Sequence, residues 1–100
     1  MTSVKVANVS DIPIGQMRAF TVEGNEYLVA NVDGNFYCID NLCSHLRAPL
    51  SEGKLDGSTV ICPKHHSSFD VMTGKALTLR GHDLNSYRVE IKATDILIHL

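Results

Sequence analysis

Cys43-Ser44-His45 begins the stretch that decides the fold of this chain, and Cys62-Pro63-Lys64-His65 follows after sixteen intervening residues. Each of these two stretches pairs one cysteine with one histidine, at Cys-x-His and Cys-x-x-His spacing. Thiolate sulfur and imidazole nitrogen are both ligands for transition metals, so each stretch can hold a metal ion at two points. Together the two stretches, called here the first and second hook, supply four protein ligands.

Two cysteines with two histidines are the ligand set of a mixed iron-sulfur centre, in which histidines replace cysteines on one of two irons. A neutral imidazole in place of an anionic thiolate makes the cluster less negative and therefore easier to reduce. The same four side chains also suit tetrahedral zinc, so a zinc-stabilised interaction module is an alternative.

The residues around the hooks extend this pattern. His66-Ser67-Ser68-Phe69-Asp70 and then Thr73-Gly74 follow the second hook, and Ser51-Glu52-Gly53-Lys54-Leu55-Asp56-Gly57 lies between the hooks. In these residues the chain resembles the Rieske-type ferredoxins, small electron carriers best known from ring-hydroxylating dioxygenase systems. That resemblance implies an all-β, Rieske-type fold of small antiparallel sheets, with two cluster-binding loops at one end.

The resemblance also implies one 2Fe-2S cluster per chain. Its expected ligands are Cys43 and Cys62 on an inner iron, and His45 and His65 on an outer iron near the surface. The implied function is that of a one-electron carrier, not an enzyme, between a reductase and a terminal acceptor such as an oxygenase. A redox sensor and the small subunit of a reductase such as nitrite reductase remain alternatives, since the same cluster would serve them.

Length and charge narrow the class of protein. One hundred residues predict a single domain, 1–100, with its cluster-binding part at about 41–82. A net charge of −2 gives no general footprint for nucleic acid or an anionic membrane. The chain shows neither a signal-peptide pattern at its start nor an apolar run long enough to span a bilayer, so we expect a cytoplasmic monomer.

Turn residues cut the chain into short apolar runs, which predicts strands rather than helices. The alternation of Tyr87, Val89 and Ile91 with charged residues indicates one buried face on a late strand. The predicted strands are 4–9, 17–22, 26–32, 35–39, 59–61, 68–71, 76–79, 86–92 and 96–100.

Several histidines and cysteines are open to other readings. Cys38 is expected to be a small buried apolar residue, which leaves no pair for a disulfide. His66 could replace His65 as a ligand by lengthening the spacing of the second hook to three residues. His82 and His99 are expected to be surface or structural histidines.

Three positions depart from the Rieske proteins of respiratory complexes. Those proteins join their hooks by a disulfide, where this chain has Ala48 and Lys64. They also place a serine and a tyrosine hydroxyl near the cluster sulfurs, and this chain has Ser67 but Phe69 there. Hydrogen bonds to the sulfurs favour the reduced cluster, so the loss of one donor predicts a potential in the lower part of the Rieske range. A further departure is that 79–82 stands where the ferredoxins often have a proline-containing segment over the cluster.

Overall fold

The structure is a computed structural model that describes residues 3–42, 49–63, 67–78 and 82–100. Within these ranges the chain forms nine β-strands and two short 3-10 helices, Val9–Asp11 and Leu50–Glu52. The strands are β1 (Ser3–Asn8), β2 (Met17–Val22), β3 (Asn25–Val32), β4 (Asn35–Asp40), β5 (Lys54–Asp56), β6 (Thr59–Ile61), β7 (Ser68–Asp70), β8 (Ser86–Lys92) and β9 (Asp95–His99).

The strands form two antiparallel sheets. The larger sheet has six strands in the order β1-β9-β8-β4-β3-β2, and the smaller has three in the order β5-β6-β7. Strands β4 and β8 join the two halves of the larger sheet through only two residue pairs, Cys38 with Tyr87 and Ile39 with Ser86. The predicted all-β fold of small antiparallel sheets is therefore confirmed.

Tight turns fix the register of the β2-β3-β4 meander. Glu23 and Gly24 turn β2 into β3 with φ of 50° and 83°, and Asp33 and Gly34 turn β3 into β4 with φ of 53° and 93°. Two consecutive residues at positive φ match the right-handed twist of the flanking strands. The three strands that the sequence predicted before the first hook are thus present and consecutive.

Strand β3 is buried on both faces, because the larger sheet has a core on each side. Leu28 and Ala30 face a core shared with the small sheet, called here the site-side core. Tyr27 and Val29 face a second core, called here the far core, which lies against β1 and β9. The site-side core contains Leu28, Ala30, Ile39, Leu50, Val60, Cys62, Phe69 and Val71.

Some predicted strand limits were wrong. Val9 begins a 3-10 helix instead of ending β1, because the Asp11 carboxylate accepts the Asn8 backbone N–H at 3.0 Å and turns the chain. The predicted strand 76–79 is reduced to a single bridge at Ala76 within the described residues, since the Asp83 carboxylate accepts the Ala76 N–H at 2.8 Å. Ile91 was predicted to be buried but is 45% exposed.

Candidate metal centre

Cys62 follows directly after β6 and has no solvent-exposed surface. It belongs to the site-side core, beside residues of both sheets. The other three predicted ligands, Cys43, His45 and His65, lie outside the described residues. The structure therefore locates one ligand directly and the other three only by the residues that border them.

The second hook lies between the two strands of the β6-β7 hairpin. Ile61 pairs with Ser68, and the Cys62 backbone N–H donates to the Ser67 carbonyl oxygen at 2.7 Å. This last hydrogen bond closes the base of the loop, so the residues on both sides of the segment 63–66 are held by neighbouring strands. Rigid strands thus hold both ends of the loop that carries His65.

The first hook is closed in the same way. Leu42 and Pro49 form an isolated antiparallel bridge, and the Leu50 N–H donates to the Asn41 carbonyl oxygen at 2.6 Å. The segment 43–48, which contains Cys43 and His45, begins and ends at this bridge. Its base is therefore fixed although the segment itself lies outside the described residues.

The side chain of Asn41 attaches that base to the larger sheet. It is 1% exposed, its Nδ2 donates to Glu26 Oε1 at 3.2 Å, and its Oδ1 accepts the Ser51 N–H at 2.9 Å. A buried amide that loses such partners costs about 1–3 kcal/mol. Asn41 is thus a positioning residue, two positions before Cys43, for both ends of the first loop.

The bases of the two loops meet at Gly53. A Cβ on this glycine would collide with the Ile61 carbonyl group and would lie 3.1 Å from Pro63 Cδ. A cleft of about 300 Å³ opens at this junction, lined by Glu52, Gly53, Lys54, Ile61, Cys62 and Pro63. The chain leaving the first hook therefore packs on the chain entering the second, which brings the described residues that border the two hooks to one end of the small sheet.

These residues fit a metal cluster. A buried cysteine becomes a thiolate only beside positive charge or a metal, because burial in apolar surroundings favours the neutral thiol. Cys62 is enclosed where the bases of the two segments that contain the other three candidate ligands meet. Such an arrangement can hold a cluster while its inner side is shielded from water.

Cys38 has a different environment. It is 1% exposed and belongs to the far core, and Cys62 belongs to the site-side core. Burial, with a smaller contribution from the Asp40 carboxylate, raises the pKa of the Cys38 thiol to about 12. The prediction that Cys38 is a buried apolar residue is confirmed.

The remaining candidates differ in what the structure describes. His99 Nε2 lies 2.8 Å from Glu90 Oε1 and so joins β9 to β8, which confirms a structural role. His82 is exposed on the surface. Ala48, Lys64 and His66 lie outside the described residues, as does most of the segment 79–82.

Sequence reasoning missed Asn41 and Thr78. Asn41 carries no motif, and its position just before the first hook was its only signal. Thr78 lies in the misassigned strand 76–79, and its Oγ1 is buried without a hydrogen-bond partner among the described residues.

Comparison with known proteins agrees with this architecture. The family model of the Rieske [2Fe-2S] domain matches residues 2–88. The ferredoxin component of the naphthalene 1,2-dioxygenase system of Pseudomonas putida is 39% identical over 98 residues, which cover 97% of this chain and 94% of that protein.

Solved structures give the same result. The ferredoxin of carbazole 1,9a-dioxygenase from Nocardioides aromaticivorans IC177 matches with a TM-score of 0.92 and 36% identity, over 98% of this chain and 97% of that one. A chain from a complex of reduced oxygenase and oxidised ferredoxin in carbazole 1,9a-dioxygenase matches with a TM-score of 0.91 and 33% identity, over 96% and 91% of the two chains. The chain belongs to the Rieske 2Fe-2S domain family.

Proposed function

We propose that this chain is a ferredoxin that carries single electrons from a reductase to the oxygenase of a ring-hydroxylating dioxygenase system. The observation that carries the proposal is the fully buried Cys62 at the point where the bases of both hook loops pack together. The relatives at 33–39% identity, which are described as ferredoxins or matched in a ferredoxin complex, support the choice of partners.

The proposed cluster ligands are Cys43 and Cys62 on one iron and His45 and His65 on the other. When bound, the 2Fe-2S cluster supplies a one-electron acceptor that is easier to reduce than an all-cysteine cluster, at about −150 to +300 mV against about −400 mV. The chain supplies all four ligands, so no position is left for a substrate, as expected of a carrier rather than an enzyme.

The fold gives the two sides of the site different roles. The inner side is closed by the site-side core, where Leu50, Cys62 and Phe69 have no exposed surface. We assign the opposite side, with His45 and His65, to partner docking. A transient redox partner needs only a small interface, of less than about 1,200 Å².

We further propose that residues 1–100 act as one domain and that the protein is a cytoplasmic monomer. In the part of the chain that the structure describes, no helical segment has the length and apolar character that crossing a bilayer requires.

The ligand set is tested with the three cysteines of the chain. Cys43→Ser and Cys62→Ser should each lose the visible absorption of the cluster together with iron and acid-labile sulfide. Cys38→Ala is the matched control, because Cys38 is equally buried but lies in the far core, and it should keep full cluster content. Retention of the cluster by Cys62→Ser would contradict the assignment.

Substitutions also distinguish which of the adjacent histidines, His65 or His66, is the cluster ligand. His65→Ala should lose the cluster, and His66→Ala should retain it with an unchanged spectrum. The reverse result would move the second histidine ligand to His66.

The carrier role is tested by electron transfer. The holoprotein is mixed with the reductase and the oxygenase of an aromatic-ring dioxygenase system, and product formation is measured with and without it. We expect turnover to depend on the holoprotein and to be absent with Cys62→Ser. Failure to accept electrons from any such reductase, with the cluster intact, would exclude this role.

A further inference from the structure

Thr78 carries a buried hydroxyl that the fold does not satisfy. Among the described residues, its Oγ1 is the one side-chain polar atom that is buried without a hydrogen-bond partner. Burying a hydroxyl in this way costs about 1–3 kcal/mol, so buried hydroxyls almost always have a partner. The lone hydroxyl of Thr78 therefore indicates a partner outside the described residues.

The backbone contacts place Thr78 at the end of the small sheet where Cys62 lies. The last described bridge of this segment joins Phe69 and Ala76, and the Leu77 N–H donates to the Ser68 carbonyl oxygen at 2.9 Å. Thr78 follows Leu77 at a bend, on the side of that contact where Ser67 lies. Ser67 is in turn opposite Cys62, whose N–H it accepts at 2.7 Å. Cys62, Ser67 and Thr78 thus lie at the same end of three neighbouring segments of backbone.

Residues directly opposite each other in antiparallel pairs point to the same face of a sheet. In the pair of Cys62 and Ser67, Cys62 is 0% and Ser67 3% exposed. The adjacent row of Ile61, Ser68 and Leu77 points to the other face, and Leu77 is 51% exposed. Ala76 packs against the site-side core, so the alternation along the chain and the burial of Oγ1 assign the Thr78 hydroxyl to the face of Cys62.

We propose that the Thr78 hydroxyl donates a hydrogen bond to a sulfur of the 2Fe-2S cluster and so helps to set its reduction potential. The acceptor is a sulfur other than the Cys62 thiolate, because Thr78 lies two backbones away from Cys62, roughly 10 Å at the spacing of sheet strands. This inference rests on the proposed function. It gives the chain a second hydroxyl on this face beside Ser67, at a site where Phe69 offers none.

The chemical consequence follows from charge. Reduction adds one negative charge to the cluster, and a hydroxyl donor binds a more negative acceptor more strongly. The Thr78 hydrogen bond therefore favours the reduced state and raises the midpoint potential.

The test compares Thr78→Val, which keeps the branched shape and removes the hydroxyl, with Thr78→Ser, which keeps the hydroxyl. Protein-film voltammetry of the holoproteins gives the midpoint potentials. We expect Thr78→Val to lose about tenfold in the equilibrium constant for reduction, which is about 59 mV for one electron. Thr78→Ser should stay close to the unmodified protein.

Thr59→Val is the matched control. It makes the same change in the same small sheet, but Thr59 is three residues before Cys62 and points to the opposite face. Its potential should not change. If Thr78→Val does not assemble, Thr78→Ala carries the same expectation.

A second readout is independent of the potential. In D₂O, the reduced protein should show a deuterium coupling by electron-nuclear double resonance that is lost in the valine or alanine variant and kept in the serine variant. Unchanged potential and couplings in a fully loaded Thr78→Val protein would overturn the inference and leave the proposed function intact. Absence of iron and sulfide from the unmodified protein would instead overturn both.

Discussion

Replacing Gly53 with alanine tests how the two hook loops are held together. The alanine Cβ would overlap the backbone carbonyl of Ile61, the residue directly before Cys62. This carbonyl belongs to β6, which is paired on both sides by β5 and β7 and cannot move without disturbing the small sheet. Relief of the overlap must therefore displace the base of one loop relative to the other.

The expected cost can be worked out from the geometry. The φ of Gly53 is −88°, which is not the left-handed conformation that favours glycine, so the expected penalty comes from the steric overlap. Inserting a carbon into a packed site costs about 1–3 kcal/mol, and alanine offsets about 0.4–1 kcal/mol of this through the unfolded state. We expect a net loss of about 1–2 kcal/mol in the free energy of unfolding.

Gly57→Ala provides the comparison. Gly57 has a φ of 61° in the β5-β6 turn, with nothing within 4 Å of an added Cβ. Its alanine variant should lose about 1 kcal/mol from backbone strain alone. The two variants are therefore similar in stability but differ in the position of the change relative to Cys62.

Urea unfolding followed by circular dichroism measures both stabilities, and iron and sulfide analysis measures cluster content. Gly53→Ala should purify with markedly reduced cluster content, and Gly57→Ala should be fully loaded. If Gly53→Ala has normal stability and a full cluster, then the contact between the loop bases does not hold the site together.

Three further predictions concern single side chains. Phe69→Tyr adds a hydroxyl on the face of Cys62. It should raise the midpoint potential by about 40–60 mV if the new hydrogen bond is about 1–1.4 kcal/mol stronger in the reduced state. An unchanged or lower potential in voltammetry would contradict the alignment of Phe69 with the tyrosine position. Asn41→Ala should lower the free energy of unfolding, measured in urea, by about 1–3 kcal/mol and reduce cluster loading, because it removes the acceptor of the Ser51 N–H. Cluster loading equal to that of the wild-type protein would show that the base of the first loop does not need this amide. Burial raises the pKa of the Cys38 thiol from 9.0 to about 12, so its contribution to the stability of the folded protein is complete below pH 9.0. Above pH 9.0 the thiol of the unfolded chain loses its proton first, so the free energy of unfolding falls by up to about 1.4 kcal/mol per pH unit until about pH 12. Urea unfolding at pH 8 to 10.5 should show this fall in the wild-type protein relative to Cys38→Ala, and parallel curves would refute it.

Much of the fold could be predicted because the turns carry strong local signals. The limits of β2, β6 and β8 agree with the sequence prediction, and the Asp33-Gly34 turn fixed the β3-β4 pairing. Strand β5 was missed because it has only three residues, of which two are charged and exposed. Its partner β6 is close in sequence, with Asp56 opposite Thr59, but so short a strand carries no alternation of apolar and polar residues that a sequence pattern could detect.

The site was predictable at its ligands and not at their supports. Cysteine and histidine at the spacing of the two hooks predict a metal site, because both side chains are metal ligands. By contrast, Asn41 supports the site by its hydrogen bonds with Glu26 and Ser51. Gly53 supports it by allowing the close approach of the Ile61 carbonyl. Such roles arise from tertiary packing, so a single sequence offers no signal for them.

The most direct test of the account is a redox titration of the native protein followed by electron paramagnetic resonance, with iron and sulfide determined on the same sample. We expect two irons and two sulfides per chain and a one-electron signal that appears on reduction. The midpoint should lie in the lower part of the range of about −150 to +300 mV. A colourless protein with stoichiometric zinc, or a cluster with a midpoint near about −400 mV, would contradict a histidine-ligated 2Fe-2S centre.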